Sequence, residues 1–209
     1  MQLPTFKGEQ PGPLYYYSPI TVLNIGMVDH AHAYPDVEVG AHMYTHVYHK
    51  DTGKKGSNSV ASLIMKTLHH MNLLREDKMG RELTIVFDNF QGQNKNNTFI
   101  KMMTFIAETG YFKKVNAIFL VVGHTKNSAD SHFNCLKLTY HKTDCFLMED
   151  LLPILDVSDK VTVLETIEDD FKDWDAYLSH FYRDFVNKVQ RNHIFRSGRR
   201  VGNEVLVKI

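Results

Sequence analysis

Two polar runs follow short apolar ones, and both carry residue types that can hold metal or phosphate. The first is Asp88-Asn89-Phe90-Gln91-Gly92-Gln93-Asn94-Lys95-Asn96, directly after Thr84-Ile85-Val86-Phe87. Its density of amides is hard to explain by packing. Gly92 permits a tight turn, and the amides can order a loop that presents the Asp88 carboxylate. An aspartate capping the next helix, or an Asn-rich turn, is the alternative. The second run is Gly123-His124-Thr125-Lys126-Asn127-Ser128-Ala129-Asp130. Asp130 falls near a helix start, so a plain N-cap competes with a role in which it turns back toward Asp88. Two carboxylates from different elements would suit Mg²⁺ or Mn²⁺, hard ions that take oxygen ligands.

Other constellations are less specific. The chain has 12 histidines, so any one pair carries little information. His42 and His46 share a strand face and are expected to border an exposed sheet surface. Cys135 and Cys145 form no paired motif, and a structural zinc site is not expected. They read as reduced thiols of an intracellular protein. There is no P-loop, GxGxxG turn or nucleophile elbow.

The elements that must position these runs can be read from periodicity. Ile20 to Val28 and Val37 to His49 are expected strands joined as an antiparallel pair. A helix capped by Ser57 or Asn58 runs to about Leu74, with Val60, Leu63, Ile64, Thr67, Leu68 and Met71 inward. Leu83 to Phe87 reads as a strand in the centre of a sheet. Asn97 to Glu108 reads as a helix closed by Gly110. Ala117 to Val122 is the next strand, and about Ala129 to Tyr140 the next helix. Beyond these come a short apolar segment (Leu147 to Leu155), an edge strand (Val161 to Thr166) and an amphipathic helix near Asp170 to Val189. A basic tail follows, with a last strand at Val205 to Lys208. The order predicts a single mixed α/β sheet with helices on both faces.

The chain has 209 residues, 43% hydrophobic and 23% charged, with 24 Lys+Arg against 24 Asp+Glu. That balance fits one globular domain over residues 1–209 and excludes wholesale disorder or a disulfide scaffold. A zero net charge draws no polyanion to the chain as a whole, so any nucleic-acid contact needs local positive charge. Lys54-Lys55, Lys113-Lys114 and Arg196 to Arg200 are the local basic spots, and Tyr15 to Tyr17 could stack on bases. No apolar run is long enough for a membrane span, and the N-terminus has no secretory pattern.

The two runs, together with Gln10-Pro11-Gly12-Pro13-Leu14-Tyr15-Tyr16 and Lys55-Gly56-Ser57-Asn58-Ser59-Val60, resemble a known family. Their continuations are Gly92-Gln93-Asn94-Lys95-Asn96 and Leu120-Val121-Val122-Gly123-His124-Thr125-Lys126 with Asp130, Phe133 and Lys137. The chain looks like the uncharacterised transposase-derived domain of many eukaryotic proteins, which has an RNase H-like, DDE-type integrase fold. The resemblance covers roughly residues 10–140, within a core of about residues 10–145. A helical extension and basic tail occupy about 146–209 and match loosely.

The resemblance implies two Mg²⁺ or Mn²⁺ ions held between acids, with in-line attack on a DNA phosphodiester. Asp88 would be the second acid and Asp130 the third. Asn89, Gln93, Asn94, Lys95, His124 and Lys126 would contact substrate or phosphate. It also implies a nuclear protein that can form homo-oligomers. The family's first strand, with the first acid, precedes the segment that begins this chain, so the fold is expected to lack that strand and the activity to need a longer protein. Asp29 is a possible substitute acid. Two other functions compete: a catalytically inert module binding nucleic acid or protein, and a metallophosphoesterase. The last is favoured by Asp29-His30-Ala31-His32 and Gly123-His124-Thr125.

Overall fold

The computed structural model describes residues 1–7, 12–13, 19–30, 41–75, 80–88, 94–121, 128–156, 159–186 and 189–198. In chain order its elements are β1 (Gln2–Leu3), β2 (Ile20–Asp29), β3 (His42–His49), α1 (Ser57–His70), β4 (Glu82–Phe87), α2 (Asn97–Glu108), β5 (Lys114–Phe119), α3 (Ser128–Tyr140), α4 (Met148–Leu155), β6 (Val161–Glu165), α5 (Trp174–Ser179) and β7 (Ile194–Gly198). The protein is mixed α/β. Its chain divides into two compact units: Met1–Lys54 with Lys126–Glu168, and Lys55–Thr125 with Asp169–Ile209.

The described strands form two mixed sheets, ordered β1-β2-β3-β6 and β4-β5-β7, where one sheet was expected. The reason lies in the pairing. β2 and β3 form the anticipated antiparallel pair, but β6 runs parallel along the free edge of β3 and β1 pairs with the start of β2. β4 pairs in parallel with β5 instead.

In the first unit, one sheet face alternates inward through Val22, Met43 and Val47. Leu136 and Tyr140 of α3 and Leu151 and Leu155 of α4 close over it, with Leu3 and Val161 in the same cluster. Each large side chain so buried contributes about 1.5–3 kcal/mol of transfer free energy. The Leu147 to Leu155 segment is therefore a helix. The Asp150 carboxylate begins it by accepting the N–H groups of Phe146 and Leu147 at 3.1 and 3.0 Å. The opposite face corrects an expectation. His46 and Tyr48 are buried rather than bordering an exposed surface. The His46 Nδ1 lies 3.3 Å from Thr166 Oγ1.

In the second unit, α2 packs on β5 and β7, and α1 and α5 pack on α2. Phe99, Met102, Met103 and Ile106 of α2 are buried, as are Val115, Ala117 and Phe119 of β5 and Phe195 of β7. β4 stands at the end of the sheet order, not its centre, and Val86 is 54% exposed. Its continuous apolar run misleads because only Phe87 of the strand is buried.

Helix α1 turns Val60, Leu63, Ile64, Thr67 and Leu68 inward as expected but ends at His70, before Met71, and its N-cap is Gly56, with no side-chain cap bond. Asn58 is engaged elsewhere, donating to Asp173 at 2.8 Å and accepting from the Asp175 N–H at 2.9 Å. The helix expected near Asp170 to Val189 is reduced to α5. Past residue 182 the chain bonds to α2: the Phe185 N–H meets Asn97 Oδ1 at 3.3 Å, and Lys101 Nζ holds Asp184 at 2.7 Å. β7, with Phe195 and Ser197 inward, lies inside what reads as basic tail. Val205 to Lys208, Tyr15 to Tyr17, and Arg199 and Arg200 lie outside the described residues. No described helix is long and apolar enough to cross a membrane.

Candidate functional site

Asp88 follows the last residue of β4, at the carboxyl end of the parallel β4–β5 pair, where Phe87 stands opposite Phe119. The side chain is exposed. Its Oδ1 accepts a hydrogen bond from Asn94 Nδ2 at 2.6 Å, and Asn94 is itself 9% exposed. A nearly buried amide thus fixes an exposed carboxylate. The rest of the amide-rich run divides its tasks. Asn96 caps α2, accepting the Phe99 N–H at 3.1 Å. Asn97 takes the Phe185 N–H, as above.

Lys95, between Asn94 and the cap, is 0% exposed. Its Nζ has no hydrogen-bond partner among the described residues and stands 5.6 Å from the Phe119 ring centroid. That ring stacks on Phe87 at 5.4 Å and meets Phe99 edge-on at 6.2 Å. Burial pushes the Lys95 ammonium below the usual lysine range. Sequence reading lists Lys95 only as one polar residue among six. Its burial is not visible in the pattern, because nothing in an Asn-rich run marks one side chain as inward.

Asp130 sits in the first turn of α3 and is exposed. It belongs to the first unit, whereas Asp88 belongs to the second. Within the first unit, two histidines tie the start of α3 to the ends of β2 and β3. Ser128 Oγ lies 2.9 Å from His30 Nε2. His132 has Nδ1 2.8 Å from the Ser128 carbonyl and Nε2 3.2 Å from the Ala41 carbonyl. Asp29, the last residue of β2, stands opposite His42, whose Nε2 is 2.8 Å from Thr162 Oγ1. The role of His132 is absent from the sequence reading. Asn89, Gln93, His32, His124 and Lys126 lie outside the described residues.

Among the described residues no three His, Cys, Asp or Glu side chains gather as a metal-holding group. The donor chemistry at Asp88 is a hard carboxylate with one oxygen engaged by an amide, which is compatible with Mg²⁺ or Mn²⁺. Cys135 is exposed and Cys145 buried, and both are free thiols.

The chain belongs to the family described as a domain of unknown function (DUF7869), whose model matches residues 23–209. No curated protein and no solved structure matches it.

Proposed function

We propose that this chain is an RNase H-like, transposase-derived domain that, in the complete protein, acts on DNA phosphodiesters with Mg²⁺ or Mn²⁺. One observation carries the reading: Asp88 is exposed at the carboxyl end of a parallel strand pair, with Asn94 fixing its Oδ1 at 2.6 Å. Ligands of open α/β sheets gather at that end. A bound divalent ion would supply Lewis-acid stabilisation and an activated water. Asp88 would hold it, and Asn94 would keep the carboxylate in the receiving rotamer. As the resemblance implies, Asn89, Gln93, His124 and Lys126 would orient the substrate phosphates, and Asp130 would be a further acid. The setting would be nuclear, with DNA as partner and self-association of the domain.

Mn²⁺ titration followed by electron paramagnetic resonance, on the wild type and on Asp88→Ala, Asp130→Ala and His124→Ala, tests this. Loss of binding in both aspartate variants is expected. Unchanged binding in both contradicts the proposal. Loss in His124→Ala alone points to metallophosphoesterase chemistry, and DNA binding that persists with no metal response points to an inert binding module.

A further inference from the structure

Two lysines are buried among the described residues, and only one of them is paired. Lys101 meets Asp184 at 2.7 Å and Ser179 Oγ at 3.0 Å. Lys95 meets the face of Phe119 and no acceptor. The acids nearest in sequence and around the start of α2 are occupied otherwise. Asp88 takes the Asn94 amide, and Asp175 takes the Thr98 hydroxyl at 2.7 Å.

An aromatic face attracts a cation but accepts none of its N–H bonds in the way an oxygen does. An ammonium removed from water without acceptors destabilises the fold that contains it. Its position shows where an acceptor would have to enter. Phe119 ends β5 and Phe87 ends β4, so the ammonium sits at the same carboxyl end from which Asp88 emerges.

We infer that Lys95 is the cationic anchor of an oxyanion site at the carboxyl ends of β4 and β5, and that the group it takes is a phosphate. The inference rests on the reading of Asp88 as ligand-facing and gives that site its second half. Asp88 addresses the metal that accompanies a phosphate, and Lys95 addresses the phosphate oxygens. Those oxygens supply the acceptors that the described residues do not, through charge-assisted bonds. The ammonium lies within the fold at present, so phosphate binding is expected to come with local rearrangement around residue 95.

The probe is inorganic pyrophosphate, in EDTA and at constant ionic strength, with thermal unfolding and calorimetry on the full chain. The wild type is expected to bind and to unfold at a higher temperature as pyrophosphate is added. Lys95→Met, of similar length and uncharged, is expected to start from a higher unfolding temperature than the wild type. It should bind pyrophosphate about ten- to a hundred-fold more weakly. Asp88→Asn, titrated with Mn²⁺ in the absence of pyrophosphate and EDTA, is expected to lose Mn²⁺, which separates the two readings. No pyrophosphate response in the wild type, an undiminished response in Lys95→Met, or a lowered starting temperature in that variant would each overturn the inference. Retained Mn²⁺ binding in Asp88→Asn would instead remove the metal reading and leave Lys95 standing.

Discussion

The amide-rich stretch that leads into α2 and the clamp along the helix itself treat the same side chain in opposite ways. In the clamp, Lys101 is 7% exposed and bonded at both Asp184 and Ser179, joining α2 to the end of α5 and to the segment that follows it. In the stretch, Lys95 is 0% exposed and, among the described residues, bonded to neither an acid nor a hydroxyl. In the first unit, buried His46 resembles Lys101, with Thr166 beside it. A buried polar group with its partner in place is accounted for by the fold. One left without a partner costs stability, and at a strand's carboxyl end that cost marks where a ligand is expected.

The largest effect tests the aromatic surround that both strand ends share. Phe99 is fully buried against Phe87 at 4.5 Å and Phe119 at 6.2 Å. Phe99→Ala is expected to lose about 3–5 kcal/mol in urea unfolding. A loss under about 1 kcal/mol would show that these rings are not core. The next test sets the two lysines against each other. Lys95→Met should gain about 1–3 kcal/mol, the penalty of an unsatisfied buried group. Lys101→Met should lose about 1 kcal/mol, the net value of a satisfied bond. The same sign for both would erase the distinction.

Titration sharpens the contrast further. Lys95 is pushed below the usual lysine range in the folded chain. Between the folded value and the unfolded one, near 10.4, the unfolded chain binds the proton and the folded chain does not. Wild-type stability should therefore rise with pH across that interval, and the advantage of Lys95→Met should shrink. An advantage independent of pH up to about 10 would contradict a buried, titrating ammonium.

The smallest effect belongs to the clamp. The hydrogen bond from Lys101 holds the Asp184 carboxyl below its usual range. Its contribution is present above about pH 4 and disappears as acid protonates the folded form. Asp184 is 67% exposed, so solvent screens the pair and a few tenths of a kcal/mol are expected. Comparing acid unfolding of Asp184→Asn with the wild type measures it.

Much of the local structure was legible in the sequence. α2 spans the anticipated Asn97–Glu108, α3 and β2 each lie within a residue of expectation, and β3 is the His42–His49 part of its expected strand, whose residues 37–40 lie outside the described residues. These elements carry a strong period and act through neighbours close in sequence. What was not legible depends on partners far along the chain. The pairing of β3 with β6 and of β5 with β7 produced two sheets, and no local pattern encodes either choice. The helix after Asp170 ends at Ser179, and the later chain is held to α2 by Asn97 and Lys101. At the site, Asp88 stood out because a carboxylate after an apolar run is conspicuous. The burial of Lys95 over Phe119 required β5 to be in place.

The measurement that tests the central claim most directly is paramagnetic broadening by Mn²⁺ of the backbone amide signals of the full chain. The account predicts selective broadening at residue 88 and residues 94–96 in the wild type, and its loss in Asp88→Asn. Broadening that persists in Asp88→Asn, or that spares those residues while other sites respond, would contradict it.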